Sequence, residues 1–245
     1  GGVDLIGTTR AVLSNLEGGA NTQGGSTISQ QYVKNILIQR CEWNAQNEDE
    51  RQSCFLEATN SSGSEGIERK LQEMRYAIGL EQKYSKNDIL LGYLNIANFG
   101  GTTYGIDAAA RYYFGVPAAN LSLSQAATLA GIVQNPNTYR IDQPDRETNG
   151  AADGYALTKK RQTYVLDRML TDGKITQEQH DAAVAEPITP AITQPNQGCA
   201  NSAAPYFCQY VVSVVRNDPA FGETSEDRQA ALRRGGLRIH TTLNI

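Results

Sequence analysis

Apolar residues recur at helical spacing along most of the chain, whereas the alternation typical of strands is nearly absent before the C-terminal end. In one segment Ile67, Leu71, Met74 and Ile78 follow one another at intervals of four, three and four residues. This spacing predicts a single narrow apolar stripe down a helix. The pattern as a whole predicts an all-α fold.

Polar residues mark where several of these helices begin. Ser85 with Asp88, and Ser122 with Gln125, have the three-residue separation of a capping box, so a helix is expected to follow each serine. The second of these helices should end at Asn135-Pro136, because proline disfavours helical backbone at the residue before it. Further helices are expected over residues 155–170, 176–185 and about 206–216.

Three segments depart from the helical pattern. The polar insert between residues 40 and 66 is predicted to form a loop. Residues 187–195 are rich in Pro and Thr, which predicts a linker. In the terminal GGLRIHTTLNI, Leu237, Ile239, Thr241 and Leu243 occupy every second position, which predicts a strand. We therefore predict a compact helical domain over residues 1–190, followed over residues 191–245 by a linker and the start of a further module.

Composition and charge narrow the possible functions. The 245 residues are 40% hydrophobic and 20% charged, which is typical of a globular chain, and no stretch is long and apolar enough to span a bilayer. The net charge of -4 argues against a general nucleic-acid binder, which needs a basic surface. The chain opens on GGVDLIGTTRA without a signal peptide, so we expect a piece of a longer protein.

The four cysteines form two pairs that are close in sequence. Cys41 with Cys54, and Cys199 with Cys208, lack the spacing of a zinc site. Two disulfides are predicted, which implies an oxidising compartment outside the cytoplasm. Four buried free thiols are the alternative, because cysteine is also a common core residue.

The segment GGSTISQQYVKN has the features of an anion-binding helix start. Gly24 and Gly25 precede Ser26 and Thr27, which are suited to cap the helix that follows. Free N–H groups and the helix dipole favour a phosphate at such a point. One side of the helix would present a cation and two amides, from Lys34, Gln31 and Asn35. A cap with no ligand is the simpler alternative.

The segment RKLQE places two cations and a carboxylate on one helical face, opposite the apolar stripe. Arg69 and Lys70 could hold a diphosphate while Glu73 places an acid beside it. The alternative is a solvated face with an ordinary ion pair between Arg69 and Glu73. His180 and His240 are the only histidines, and neither has an evident partner nearby in sequence, so a histidine triad or metal site is not expected.

Four segments, in this order, resemble the peptidoglycan glycosyltransferase family, glycosyltransferase family 51: GGSTISQQ, RKLQE, KNDILLGYLN and YGIDAAARYYFG. The match extends through LSLSQAATLAGIVQNPNTY, and the tail GGLRIHTTLNI is similar to the junction that leads into a penicillin-binding transpeptidase domain. The resemblance implies the compact, lysozyme-like helical glycosyltransferase domain of a bifunctional class A penicillin-binding protein.

The chain departs from this family at two points. The first motif of the family, EDxxFxxHxG, would end at Gly2, so its catalytic Glu would lie before Gly1, and the chain as given is expected to be inactive in polymerisation. In the fourth motif Leu91 stands where the family usually has Glu. The helix that carries Leu91 is expected to be structural.

The activity implied by the resemblance is the polymerisation of lipid II into glycan strands. A sugar hydroxyl of the acceptor would attack the anomeric carbon of the lipid-linked glycan with inversion, and undecaprenyl pyrophosphate would leave. Arg69 and Lys70 would stabilise the leaving diphosphate. Glu73 would orient a hydroxyl or bind Mg or Mn, although no cofactor is required. The remaining donor contacts would come from Ser26, Thr27, Gln30, Gln31, Lys34 and Asn35.

The resemblance also implies a location and partners. The chain is expected at the extracytoplasmic face of the bacterial cell membrane, near the membrane surface through an N-terminal anchor outside the given sequence. Lipid II and the lipid-linked glycan strand would be its substrates, and other cell-wall synthesis proteins are possible partners, but not nucleic acid. Two alternatives stay open at this point: a lysozyme-like glycan hydrolase and a non-catalytic scaffold in cell-wall assembly.

Overall fold

The computed structural model describes residues 26–45, 47–59, 63–193, 198–199, 202–234, 237 and 239–243. The chain divides into two compact units, Gly1–Thr193 and Gln194–Ile245. No helix in the described part combines the length and apolar character needed to cross a bilayer.

Helices make up the regular structure described in the first unit. They are α1 (Ile28–Asn44), α2 (Glu48–Thr59), α3 (Gly63–Lys83), α4 (Lys86–Ile96), α5 (Ile106–Phe114), α6 (Leu123–Ile132), α7 (Pro136–Tyr139), α8 (Ala156–Thr171) and α9 (Gln177–Ala185), with a 3-10 turn at Ala118–Asn120. The second unit contains α10 (Pro205–Asn217), a 3-10 turn at Pro219–Phe221 and α11 (Ser225–Arg234). The predicted all-α fold is confirmed for the described residues.

The predicted helix starts are also confirmed. Ser85 and Asp88 form a capping box at α4, where the Asp88 N–H donates to Ser85 Oγ at 3.2 Å and the Ser85 N–H donates to Asp88 Oδ2 at 3.2 Å. Ser122 and Gln125 form the same arrangement at α6. Each box satisfies N–H groups that the first helical turn leaves without a partner.

The main core of the first unit lies among α4, α5 and α6. Tyr113, Leu129, Ile132 and Ile141 are fully buried there, and Phe99 is 1% exposed. Each such side chain contributes about 1.5–3 kcal/mol by leaving water. The hydroxyl of Tyr113 donates to the Phe99 carbonyl at 2.8 Å, so the buried phenol is also satisfied. This core holds α4 in place beside α1 and α3.

A buried polar network joins α6 to α8. The Gln162 side-chain amide donates to the Ser124 carbonyl at 3.0 Å, to Ser124 Oγ at 2.9 Å and to Thr128 Oγ1 at 2.8 Å. Gln162 is fully buried, as are its partners to within a few per cent. Because these hydrogen bonds are short and buried, the network favours one position of α6 relative to α8.

Two segments differ from the sequence-based predictions. The polar insert after residue 40 contains helix α2 and is not wholly a loop. Residues 237 and 239–243 contain no strand, because a strand needs a neighbour to satisfy its backbone and none pairs with this segment in the described chain. The predicted linker is free of helix over residues 187–193, where the N–H groups of Ala191 and Thr193 donate to carbonyls at the end of α5.

Helix α3 buries a different face from its apolar stripe. Leu71 and Ile78 are 60% and 45% exposed, whereas Glu73 and Ala77 are 2% and 0% exposed. Helix α3 packs against α1, and Ala77 is buried completely. Glu73 therefore lies between α3 and another helix, with Arg69 and Lys70 partly buried beside it.

Candidate functional site

The site begins at the first turn of α1. The Thr27 N–H donates to Gln30 Oε1 at 2.9 Å and the Gln30 N–H donates to Thr27 Oγ1 at 3.3 Å, which forms a capping box. Ser26 precedes this cap, while Gly24 and Gly25 lie outside the described residues. The positive end of the helix dipole lies at this turn, so the position is suited to an anion.

Helix α3 brings its charged residues to the same place. Glu73, whose side chain is 3% exposed, bonds to Arg69 through Oε1 and to Lys70 through Oε2, the latter at 3.0 Å. The Lys70 ammonium also donates to Ser26 Oγ, although the two residues are 44 positions apart in sequence. The predicted phosphate-binding segments of α1 and α3 therefore lie in direct contact.

Lys34 of α1 belongs to the same charged cluster. Burial lowers the pKa of the Lys34 ammonium, the carboxylate of Glu73 acts in the opposite direction, and the cations of Lys70 and Arg69 lower the pKa further. Arg69 and Lys70 thus pair with the Glu73 carboxylate, and Lys34 lies close enough to interact with it electrostatically. The local excess of positive charge favours an anionic ligand, because each added negative charge relieves repulsion among partly desolvated cations.

The two glutamines of the motif have different surroundings. Gln31 accepts a hydrogen bond from the Tyr93 hydroxyl at 2.9 Å and donates to the Ser26 carbonyl at 3.4 Å. Gln30 is fully buried, with its oxygen used in the cap and its Nε2 without a partner in the described chain. Asn35 is half-buried on α1. An orphaned buried amide is unusual and is suited to a ligand or a water molecule.

A groove runs along α3 beside the cluster. Its volume is about 520 Å³, and its described lining residues are Glu68, Arg69, Leu71, Gln72 and Arg75. The lining combines one apolar side chain with two guanidinium groups, one carboxylate and one amide, so it can contact both apolar and polar parts of a ligand.

The sequence did not predict a second set of side chains, which contact the first turn of α1 from α3 and α4. Ser29 donates to Glu81, and Glu81 pairs with Lys86 at the start of α4. Tyr93 holds Gln31 from α4. No spacing rule reveals these contacts, because they join helices separated by up to 62 positions in the chain.

Both predicted disulfides are present. Cys41 and Cys54 join α1 to α2 with their Cα atoms 5.7 Å apart, and Cys199 and Cys208 are joined in the second unit with Cα atoms 5.4 Å apart. There are no free cysteines. The alternative of four buried free thiols is therefore wrong.

His180 does have partners, contrary to the expectation from sequence. Its ring nitrogens lie 2.8 Å from Asp167 of α8 and 2.8 Å from Asp181 of α9. The hydrogen bonds to Asp181 and Asp167 raise the pKa of His180 above its ordinary value. The partner on α8 was missed because Asp167 lies 13 positions earlier in the chain. The described residues contain no group of three or more His, Cys, Asp or Glu that could hold a metal ion.

A family model and similar known proteins identify the same family for this chain. Residues 1–170 match the family described as Transglycosylase. The chain is 38% identical over 189 residues to penicillin-binding protein 1A of Mycolicibacterium smegmatis, which covers 77% of this chain and 20% of that protein. It is 34% identical over 245 residues to penicillin-binding protein 1A of Aquifex aeolicus, with 100% and 27% covered.

A solved structure is also similar in part. The crystal structure of penicillin-binding protein 1A from Haemophilus influenzae aligns with a TM-score of 0.36 at 22% identity, over 78% of this chain and 21% of that chain. The chain spans 20% and 27% of the length of the two relatives named above. Since the family match covers more than half of the chain and includes both α1 and α3, the resemblance found in the motifs is confirmed, and the chain belongs to the transglycosylase family.

Proposed function

We propose that this chain is the glycosyltransferase part of a peptidoglycan synthase that polymerises lipid II. The acceptor hydroxyl would attack the anomeric carbon of the lipid-linked glycan with inversion, its proton would pass to a general base, and undecaprenyl pyrophosphate would leave. The observation that carries the proposal is the cluster of Lys34, Arg69 and Lys70 around Glu73 at the start of α1. Family membership supports the same reaction class.

The cluster is suited to the leaving-group side of this reaction. Negative charge accumulates on the diphosphate as the glycosidic bond breaks, and cations that are already in place stabilise that charge without reorganisation. Arg69 offers a planar fork for two oxygens, whereas Lys70 offers a compact charge between α3 and Ser26. The lowered pKa of the Lys34 ammonium also supports this role, because an anion bound beside it would raise that pKa again and so favour binding.

Glu73 would position the cations of the cluster. Both of its oxygens are bonded to Arg69 and Lys70, so the carboxylate fixes where the two cations lie. This arrangement does not supply a ligand set for Mg or Mn, because these ions prefer several free oxygen ligands. Glu73 would also orient a substrate hydroxyl once the diphosphate draws the cations away.

The other parts of the proposal follow from the family. Ser26, Thr27, Gln30, Gln31 and Asn35 would contact the donor around the start of α1. The general base belongs to the first motif of the resemblance, and Gly1 and Gly2, which would end that motif, lie outside the described residues.

We propose an extracytoplasmic location at the membrane surface, which the two disulfides support because such bonds persist in oxidising compartments. Residues 1–190 would form the glycosyltransferase domain, and 191–245 would lead into a further module. Lipid II, the lipid-linked glycan strand and other cell-wall synthesis proteins would be the partners.

Calorimetric titration with undecaprenyl pyrophosphate in detergent micelles tests the proposal. Lys70→Ala removes a charge-assisted contact of about 1.5–3 kcal/mol, so the Kd should rise roughly 10- to 150-fold. Lys70→Arg should recover only part of the affinity, because the fork geometry differs from a point charge. Lys160→Ala is the matched control, since it removes the same charge from an exposed position on α8.

Three results would contradict the proposal. One is a parent chain that binds uncharged undecaprenol as tightly as the diphosphate. Another is equal binding by Lys70→Ala and Lys160→Ala. The third is hydrolysis of finished glycan strands by the chain, which would favour a lysozyme-like hydrolase.

A further inference from the structure

We propose that Glu81 is a positioning residue that holds the first turn of α1 in the orientation at which Ser26 meets Lys70. Glu81 lies on α3, two turns beyond Glu73, and is not assigned to the substrate. The inference rests on the proposed function, because the turn that it orients is the one assigned to the lipid-linked diphosphate.

The Glu81 carboxylate joins three helices. Ser29, in the first turn of α1, donates its hydroxyl to Glu81 Oε1. Lys86, the first residue of α4, lies 2.7 Å from Glu81 Oε2. Ser29 is 4% exposed and the Glu81 side chain 15% exposed, so the contact between them is largely shielded from water, whereas the Lys86 side chain is 62% exposed. Each oxygen of one shielded carboxylate therefore serves a different helix.

The charge on Glu81 makes this junction stronger than a neutral one. Burial raises the pKa of Glu81, but the hydrogen bonds from Lys86 and Ser29 outweigh that effect and hold the pKa below its usual range. The group is thus an ionised acceptor at neutral pH. Hydrogen bonds to an ionised acceptor are roughly twice as strong as neutral ones.

Helix α3 consequently holds the start of α1 at two points. Lys70 reaches Ser26 just before the cap, and Glu81 receives Ser29 just after the cap. Together with the hydrogen bond from Tyr93 to Gln31, these two contacts on either side of Thr27 restrict the tilt and rotation of the helix end. A small displacement of a phosphate-binding group is costly, since positioning errors near 1 Å weaken charge-assisted contacts and the catalysis that depends on them.

Three variants and a control test this role by calorimetric titration with undecaprenyl pyrophosphate in micelles. Ser29→Ala removes the hydroxyl and should raise the Kd by roughly tenfold or more, because the turn that this hydrogen bond held must then be fixed when the ligand binds. Ser29→Thr keeps the hydroxyl and should bind more tightly than Ser29→Ala. Glu81→Gln keeps an acceptor but loses the ion pair to Lys86, so its Kd should lie between those of the parent and Ser29→Ala. Ser124→Ala is the matched control, because Ser124 is 3% exposed and bonds within the α6–α8 network.

A role in stability alone gives a different pattern. In that case Ser29→Ala and Ser124→Ala would lower the thermal midpoint similarly, and the folded population of both would bind with the parent Kd. Hydrogen exchange adds a readout that needs no ligand: the amides of Gln30 and Gln31 should exchange faster in Ser29→Ala and Glu81→Gln but not in Ser124→Ala.

The outcomes separate the two proposals. Parental Kd values and unchanged exchange in Ser29→Ala and Glu81→Gln, together with weak binding by Lys70→Ala, would overturn the positioning role and leave the proposed function standing. A parent chain that does not bind the diphosphate, or a Lys70→Ala variant that binds like the parent, would overturn both.

Discussion

Removal of the disulfide between Cys41 and Cys54 should release α2 from α1 before the rest of the first unit unfolds. Among the described side chains of α2, Cys54 is the one that is buried, at 4% exposure, while Phe55 and Leu56 are 53% and 59% exposed. The helix therefore has little apolar contact of its own to keep it in place. The bridge is expected to supply most of its attachment.

The magnitude follows from the length of the closed loop. With a sequence separation of 13, the loss of loop-closure entropy corresponds to about 3 kcal/mol at 25 °C. The double variant Cys41→Ser, Cys54→Ser should thus speed exchange of the α2 amides by up to roughly 150-fold, since each 1.4 kcal/mol is a factor of ten. The proposed affinity of the cluster at the start of α1 for the diphosphate should be unchanged.

Hydrogen exchange read by mass spectrometry measures this directly. The control is Cys199→Ser, Cys208→Ser, which opens a loop of similar size, with a sequence separation of 9, in the second unit. That control should leave the α2 amides as protected as in the parent. Equal protection of α2 with and without the Cys41–Cys54 bridge would refute the reasoning, because it would mean that packing and not the bridge holds the helix.

Two further predictions concern the α8–α9 and α6–α8 contacts. Because hydrogen bonds to Asp181 and Asp167 raise the pKa of His180, their contribution to stability should be complete below the unfolded pKa near 6.5 and should fade as pH rises through the higher folded pKa. In thermal melts across this range, the midpoint of the parent should exceed that of His180→Gln at low pH, and this difference should shrink as pH rises. A difference in midpoint that does not change with pH would contradict the prediction. Gln162→Ala should lower the free energy of unfolding by about 2–4 kcal/mol in urea, because it leaves buried partners such as Ser124 unsatisfied and opens a cavity. A loss below about 1 kcal/mol would show that water replaces the amide.

The local features of the fold were predictable because they depend on neighbours in sequence. The capping boxes at Ser85 and Ser122 need only a residue three positions away, and both occur where predicted. The disulfides were predictable for a related reason, since each pair is close in the chain. The strand predicted near the C-terminus failed because a strand depends on a partner that the spacing of one segment cannot supply.

The orientation of α3 could not be predicted from its pattern. Leu71 and Ile78 form the apolar stripe but are exposed, whereas Glu73 and Ala77 are buried. A periodicity shows that a helix has two faces, and the neighbouring helix decides which face is covered. Burial of Glu73 is tolerated because two cations of its own helix satisfy both oxygens.

Some residues of the candidate site could also be predicted from the sequence, and others could not. Its charged residues were predicted from the motif segments, and the structure brings Lys70 to Ser26. The role of Glu81 was not predictable, because the carboxylate contacts Ser29, 52 positions away. Contacts of that kind depend on the packing of α1, α3 and α4 and carry no signature in either segment alone.

Photo-crosslinking with a lipid II analogue would locate the diphosphate on this chain. The analogue would carry a photoreactive group next to the diphosphate, and mass spectrometry would identify the labelled peptides. We predict labels within residues 26–35, at the start of α1, and 67–75 of α3. These labels should be suppressed by excess undecaprenyl pyrophosphate and reduced in Lys70→Ala but not in Lys160→Ala. Labels that fall on the α8–α9 hairpin, or that persist unchanged in Lys70→Ala, would contradict the assignment of the lipid-linked diphosphate to this cluster.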